Sequence, residues 1–91
     1  MFIKYHGKLF EVESDGQIKG EETLTCHKAE DQVVIYFHDR PEGEAQEITL
    51  QEALIMADDA VYHMDKKNNV AGFFEAQKLV HRIQEMIRVA Q

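Results

Sequence analysis

Ninety-one residues with 44% hydrophobic content set a single domain with a thin core, and seventeen acids against ten bases give a net charge of −7. That balance argues against nonspecific nucleic-acid binding, which depends on Lys and Arg neutralising phosphates. The lone cysteine, Cys26, excludes an internal disulfide framework and fits a reducing, cytoplasmic setting.

The start, MFIKYHGKLF, lacks the apolar core of a signal peptide, and no run approaches the roughly 20 apolar residues of a membrane span. The first stretch, FIKY-HG-KLFEVE, reads as a β-hairpin with a two-residue His6-Gly7 loop, because Gly takes a positive φ freely and His tolerates one. That register sets Tyr5 opposite Lys8, Ile3 opposite Phe10 and Met1 opposite Val12 on one nearly apolar face. Ser14-Asp15-Gly16 reads as a turn, and Gln17 to Lys19 as a short extended piece.

TLTCHKA and QVVIYFH read as a second hairpin about Glu30-Asp31, pairing Leu24 with Phe37, Cys26 with Ile35 and Lys28 with Val33. The two sequences sort independently by parity and agree on an apolar patch of Leu24, Cys26, Ile35 and Phe37. The turn lacks the Gly or Asn that a tight primed turn prefers. Residues 39–44 read as a loop around the only proline, followed by a short extended Gln46 to Ile48. Thr49-Leu50-Gln51-Glu52 has capping-box spacing, and Leu50, Leu54, Ala57, Val61 and Met64 form the apolar stripe of a helix. Asn68-Asn69 can stop that helix and cap the next, whose stripe runs through Phe73, Ala76, Val80, Ile83 and Ile87.

The expected architecture is one α+β domain: a small antiparallel sheet of four to five short strands over residues 1–48, covered on one face by an αα-hairpin over 49–91. Its core should include Ile3, Phe10, Val12, Leu24, Cys26, Ile35, Phe37, Leu54, Val61, Val80, Ile83 and Ile87. Thr25, His27, Val34 and Tyr36 fall on the other sheet face, and Ile55 and Tyr62 fall outside the stripe of the first helix. These six are the expected partner-binding positions, with a homodimer as one version of the partner.

Catalytic chemistry finds no constellation. Ser14 lies in a turn, Cys26 should be buried and inert, and no glycine-rich loop precedes a helix. His27 and His38 sit on rungs on the order of 13 Å apart, too far to share one ion. Glu52, Asp59 and His63 on one side of the first helix are the best metal candidates, although that side faces solvent.

Charge is unevenly placed. Residues 1–65 hold fifteen acids and five bases, and residues 66–91 hold two acids and five bases. The basic stripe of Lys66, Lys67, Lys78, Arg82 and Arg88 reads as a charged solvent face because Glu75 and Glu85 share it. The expectation is a non-enzymatic, cytoplasmic interaction module or inhibitor without a cofactor. It would occlude a protein partner's surface, and its acids would compete with nucleic acid for a basic cleft there. The alternative is a metal-binding protein or metal-dependent enzyme using Glu52, Asp59 and His63.

Overall fold

The first turn forms as its residues require. His6 and Gly7 take φ of 51° and 74°, the left-handed pair of a two-residue hairpin loop, and join β1 (Phe2–Tyr5) to β2 (Lys8–Glu11). The computed structural model describes residues 1–91 and divides them into two compact units, Met1–Ile48 and Thr49–Gln91. In the first unit, β1 pairs with β2 in the expected register, Tyr5 with Lys8 and Ile3 with Phe10. Reciprocal backbone bonds between Met1 and Val12 extend the ladder.

β3 (Leu24–Ala29) and β4 (Gln32–Phe37) also pair as expected, Leu24 with Phe37 and Cys26 with Ile35. Their turn is tight, and Glu30 carries its cost with a φ of 55°. Replacing Glu30 with Gly should therefore raise stability by about 0.5–1 kcal/mol, read as a higher urea midpoint. A midpoint that falls would show that the Glu30 side chain contributes more than its backbone strain costs.

The stretch expected to be a loop is instead strand. β5 runs through Arg40–Ile48 and includes Pro41. His38 and Asp39, at φ of 48° and 65°, make the β4–β5 turn that was not expected there. Phe37 and Arg40 flank this two-residue turn and form the hydrogen-bonded rung, so the next rung, Tyr36 with Pro41, is a non-bonded one. Position 41 thus has no donor to supply toward β4, and proline fits.

Beyond it the register shifts, Ile35 opposing Gly43, which leaves Glu42 as the extra residue of a bulge. The Tyr5 ring lies where a side chain at position 43 would project; a Cβ there would sit 3.0 Å from its hydroxyl. That hydroxyl donates to Glu42 Oε1 at 2.8 Å. Bulge, glycine and tyrosine thus form one fitted corner.

The sheet order is β2-β1-β5-β4-β3, and β5 bridges two halves, pairing with β1 through Gln46–Ile48 and with β4 through Arg40–Ala45. The edge strands do not stay apart. Val12 bridges to Ile18 and Gln17 bridges to Thr25, so residues 17–18 splint β2 to β3 and close the sheet on itself. The Gln17 amide side chain reinforces the splint by donating to the Glu21 and Leu24 carbonyls.

Inside, Ile3, Tyr5, Val12, Ile18, Cys26, Val33 and Ile35 form one buried cluster, with Phe10, Leu24 and Ala45 packed against it. Phe37, expected in this core, is 44% exposed. It stands at the turn end of β4, where its ring meets His38 at 4.4 Å and not the interior.

The second unit is a helical hairpin, α1 (Leu50–Lys66) packed against α2 (Val70–Ala90). The Thr49 hydroxyl accepts from the Glu52 amide at 3.1 Å, giving the expected N-cap, while the Glu52 carboxylate receives the Thr49 hydroxyl at 3.4 Å. Asn68 takes φ of 56°, and the amides of Asn68 and Asn69 bond back to the carbonyls of Asp65 and Met64. This is a Schellman ending with asparagine in the left-handed position. Asn69 then caps α2 by accepting from the Gly72 amide at 3.0 Å. Ala53, Ala57, Val80 and Ile83 are buried, and Leu54, Val61 and Ile87 are half-buried. The chain is an α+β protein, as its patterning predicts.

Candidate protein-interaction surface

Alternation along paired strands decides the outer sheet face. Thr25 opposes Tyr36 and His27 opposes Val34, so these four point away from the Leu24, Cys26 and Ile35 side. His27 is exposed, and Thr25, Val34 and Tyr36 are half-buried. The His27 ring meets the Tyr36 ring edge-on, with centroids 4.8 Å apart and planes at 81°. The four residues are therefore together, as expected, but the tyrosine ring already has a neighbour within the face.

Ile55 and Tyr62 are left far more open, at 69% and 56% exposed. Seven residues separate them, two helical turns, so both lie on one side of α1 about 10.5 Å apart along its axis. The buried Ala53 and Ala57 mark the opposite side. Between them Asp58 and Asp59 are exposed, and Lys66 Nζ stands 5.1 Å from the centre of the Tyr62 ring. Val70 and Phe74 add two further exposed apolar residues at the start of α2, beside a notch lined by Met64 and Phe73. Val70 was missed by periodicity because it is the first residue of its helix, before any stripe can be counted.

Of the three metal candidates, the structure brings two together. His63 Nε2 and Asp59 Oδ2 lie 3.3 Å apart on adjacent turns. Glu52 is eleven residues before His63, about 16 Å along the axis, and its carboxylate is turned to Thr49. No group of three His, Cys, Asp or Glu side chains converges anywhere in the chain. A shared helix side is thus insufficient; spacing along the axis separates Glu52 from the other two donors.

A groove of about 730 Å³ lies on the first unit and is lined by Lys4, Lys28, Glu30, Asp31, Glu44 and Glu47 among others. Lys28 and Glu47 neutralise each other across it at 2.6 Å. On α2, Lys78 pairs with Glu75 at 3.5 Å and Arg88 with Glu85, so its basic stripe is interrupted by its own acids. No helix is long and apolar enough to cross a membrane.

Two buried groups titrate abnormally. Burial, aided by the neighbouring Glu42 carboxylate, holds the Tyr5 phenol above its ordinary value near 10. Burial also pushes the Cys26 thiol above its ordinary value near 9, with Glu47 adding to the effect. Both raised values mean that the folded chain keeps these protons longer than the unfolded chain does. Their stabilisation is therefore complete below about pH 9 and is lost as pH rises through their folded values. The urea midpoint should fall from about pH 9 upward, and Tyr5→Phe should fall less steeply above pH 10. Matching slopes for the two proteins would remove Tyr5 from the account.

Comparison with known protein families, characterised proteins and solved structures finds no match to this chain.

Proposed function

We propose that this chain is a small acidic protein-interaction module, without enzymatic activity, that acts by covering a surface on a protein partner. The observation that carries the reading is the exposure of Ile55 and Tyr62 on a side of α1 otherwise occupied by acids and polar residues. Single exposed apolar residues are common on soluble proteins; two aligned on one helix side, two turns apart, present a ridge that another surface can cover. The outer face of β3 and β4, with His27, Tyr36, Val34 and Thr25, is a second contact region in this reading. The fifteen acids of residues 1–65 supply a further element, competition with nucleic acid for a basic cleft on the partner.

The test is an affinity capture from nuclease-treated lysate of the cells that make the protein, using the wild type beside an Ile55→Ala, Tyr62→Ala variant. A protein retained in near-equal amount by the wild type and lost by the variant supports the reading. Release of that protein by salt supports the electrostatic element. Identical captures from both, or none from either, would overturn the α1 surface.

A further inference from the structure

The charge around Ile55 and Tyr62 narrows what can cover them. α1 contains Glu52, Asp58, Asp59 and Asp65 against Lys66 as its only Lys or Arg, and Asp58 and Asp59 lie midway between the two apolar side chains. Consider first a second copy of the chain. A two-fold contact that lays Ile55 on the partner's Tyr62, and the reverse, is centred between positions 58 and 59. It would bring four aspartates together at the middle of the interface, where like charges are costly. The acids that leave the ridge soluble thus oppose its self-association through α1.

The same acids suit a cationic partner. The Lys66 ammonium already covers the Tyr62 ring at 5.1 Å, so the sites left for a partner's cations are the exposed carboxylates of Asp58 and Asp59 between the two apolar side chains. A straight ridge with two apolar residues seven apart matches the repeat of a facing helix, whose own apolar residues recur at that interval.

We infer that the Ile55–Tyr62 ridge of α1 receives an amphipathic basic helix of a partner protein, one with two apolar anchors seven residues apart and Lys or Arg between them. The inference rests on the interaction-module reading above and names the partner's chemistry at the same surface. The anchors lie beside Ile55 and Tyr62, and the intervening cations meet Asp58 and Asp59. The basic helix gains direction from the charges and affinity from the apolar pair.

The experiment uses the full chain and two fluorescent synthetic helices, each with Leu at two positions seven apart. One carries Lys at the third and fourth positions after the first Leu, and the other carries Glu there. Fluorescence anisotropy should show the Lys helix bound and the Glu helix at least tenfold weaker. Ile55→Ala with Tyr62→Ala should weaken the Lys helix at least tenfold, and Asp58→Lys with Asp59→Lys should reverse the preference. All four side chains are exposed, and circular dichroism of each variant checks that the fold is kept.

Equal binding by the double-alanine variant would reduce the effect to nonspecific charge and overturn the inference. So would failure of both helices to bind, or sedimentation showing a dimer that the double-alanine variant loses. If the helices fail while affinity capture still retains a protein that depends on Ile55 and Tyr62, the interaction module stands and the basic helix does not.

Discussion

Ile35→Ala should cost about 2–5 kcal/mol, a large share of the roughly 5–15 kcal/mol that holds a domain of this size together. Ile35 is completely buried, and its strand lies between β3 and β5, with Cys26 opposite on one side and Gly43 on the other. Gly43 has no side chain to move into the space, and the Tyr5 ring that covers it is tied to Glu42. The cavity therefore has little means of collapse, which places the cost toward the upper part of the range. A thermal melt followed by the strand signal should fall by about 10–30 °C, while Ile55→Ala, on open surface, should change stability by no more than about 0.5 kcal/mol. Equal melts for the two variants would show that the buried cluster is not the source of the stability of residues 1–48.

The second large effect is expected at a residue with no side chain at all. Gly16 has φ of +91°, and its carbonyl accepts from the Cys26 amide at 2.8 Å, where the splint meets β3. A Cβ at this position would lie 2.8 Å from the Cys26 carbonyl oxygen, a rigid backbone atom. Gly16→Ala thus combines an unfavourable backbone conformation with a clash that must push the splint off β3. The loss should be on the order of 2–4 kcal/mol. Gly20 gives the comparison, since its φ is +84° but nothing stands within 4 Å of the site of its missing Cβ. Gly20→Ala should lose only the backbone part, about 1 kcal/mol. Urea midpoints that are the same for the two alanine variants would show that closure at Cys26 contributes nothing beyond backbone strain.

What could be read from the chain follows the range of the interactions. The β1–β2 and β3–β4 registers were legible because a one-residue slip turns every apolar side chain outward, and both strands of each hairpin report the same parity. The helix boundaries were legible because Thr49, Asn68 and Asn69 act on amides and carbonyls only a few residues away. β5 was not legible. Pro41 and Gly43 ordinarily mark a loop, and their place in a strand depends on the bond alternation set by the His38-Asp39 turn and on a tyrosine 38 residues before Gly43.

Closure of the sheet was hidden for the same reason. Ile18 sits between a turn and a glycine in sequence, yet it is nearly fully buried because Val12 and the start of β3 come together around it. For the surface, helical spacing placed Ile55 and Tyr62 outside the buried stripe, and they are exposed. In the Glu52, Asp59 and His63 grouping, the four-residue spacing that joins Asp59 to His63 was legible, whereas Glu52 shares only their angle around the helix and axial rise separates it from them.

The corner at Pro41, Glu42 and Gly43 has a further consequence, for behaviour in a crowded solution. An unpaired strand edge is a template on which another chain can add itself, the first step of edge-to-edge aggregation. β1 covers β5 only along Gln46–Ile48, so Arg40–Ala45 would otherwise offer such a template on that side. Proline at 41 withholds one amide, the bulge at Glu42 breaks the even spacing an incoming strand would need, and Gly43 resumes the ladder only after that break, opposite Ile35. Three residues that look like irregularities in a strand thus keep its uncovered flank from recruiting a copy.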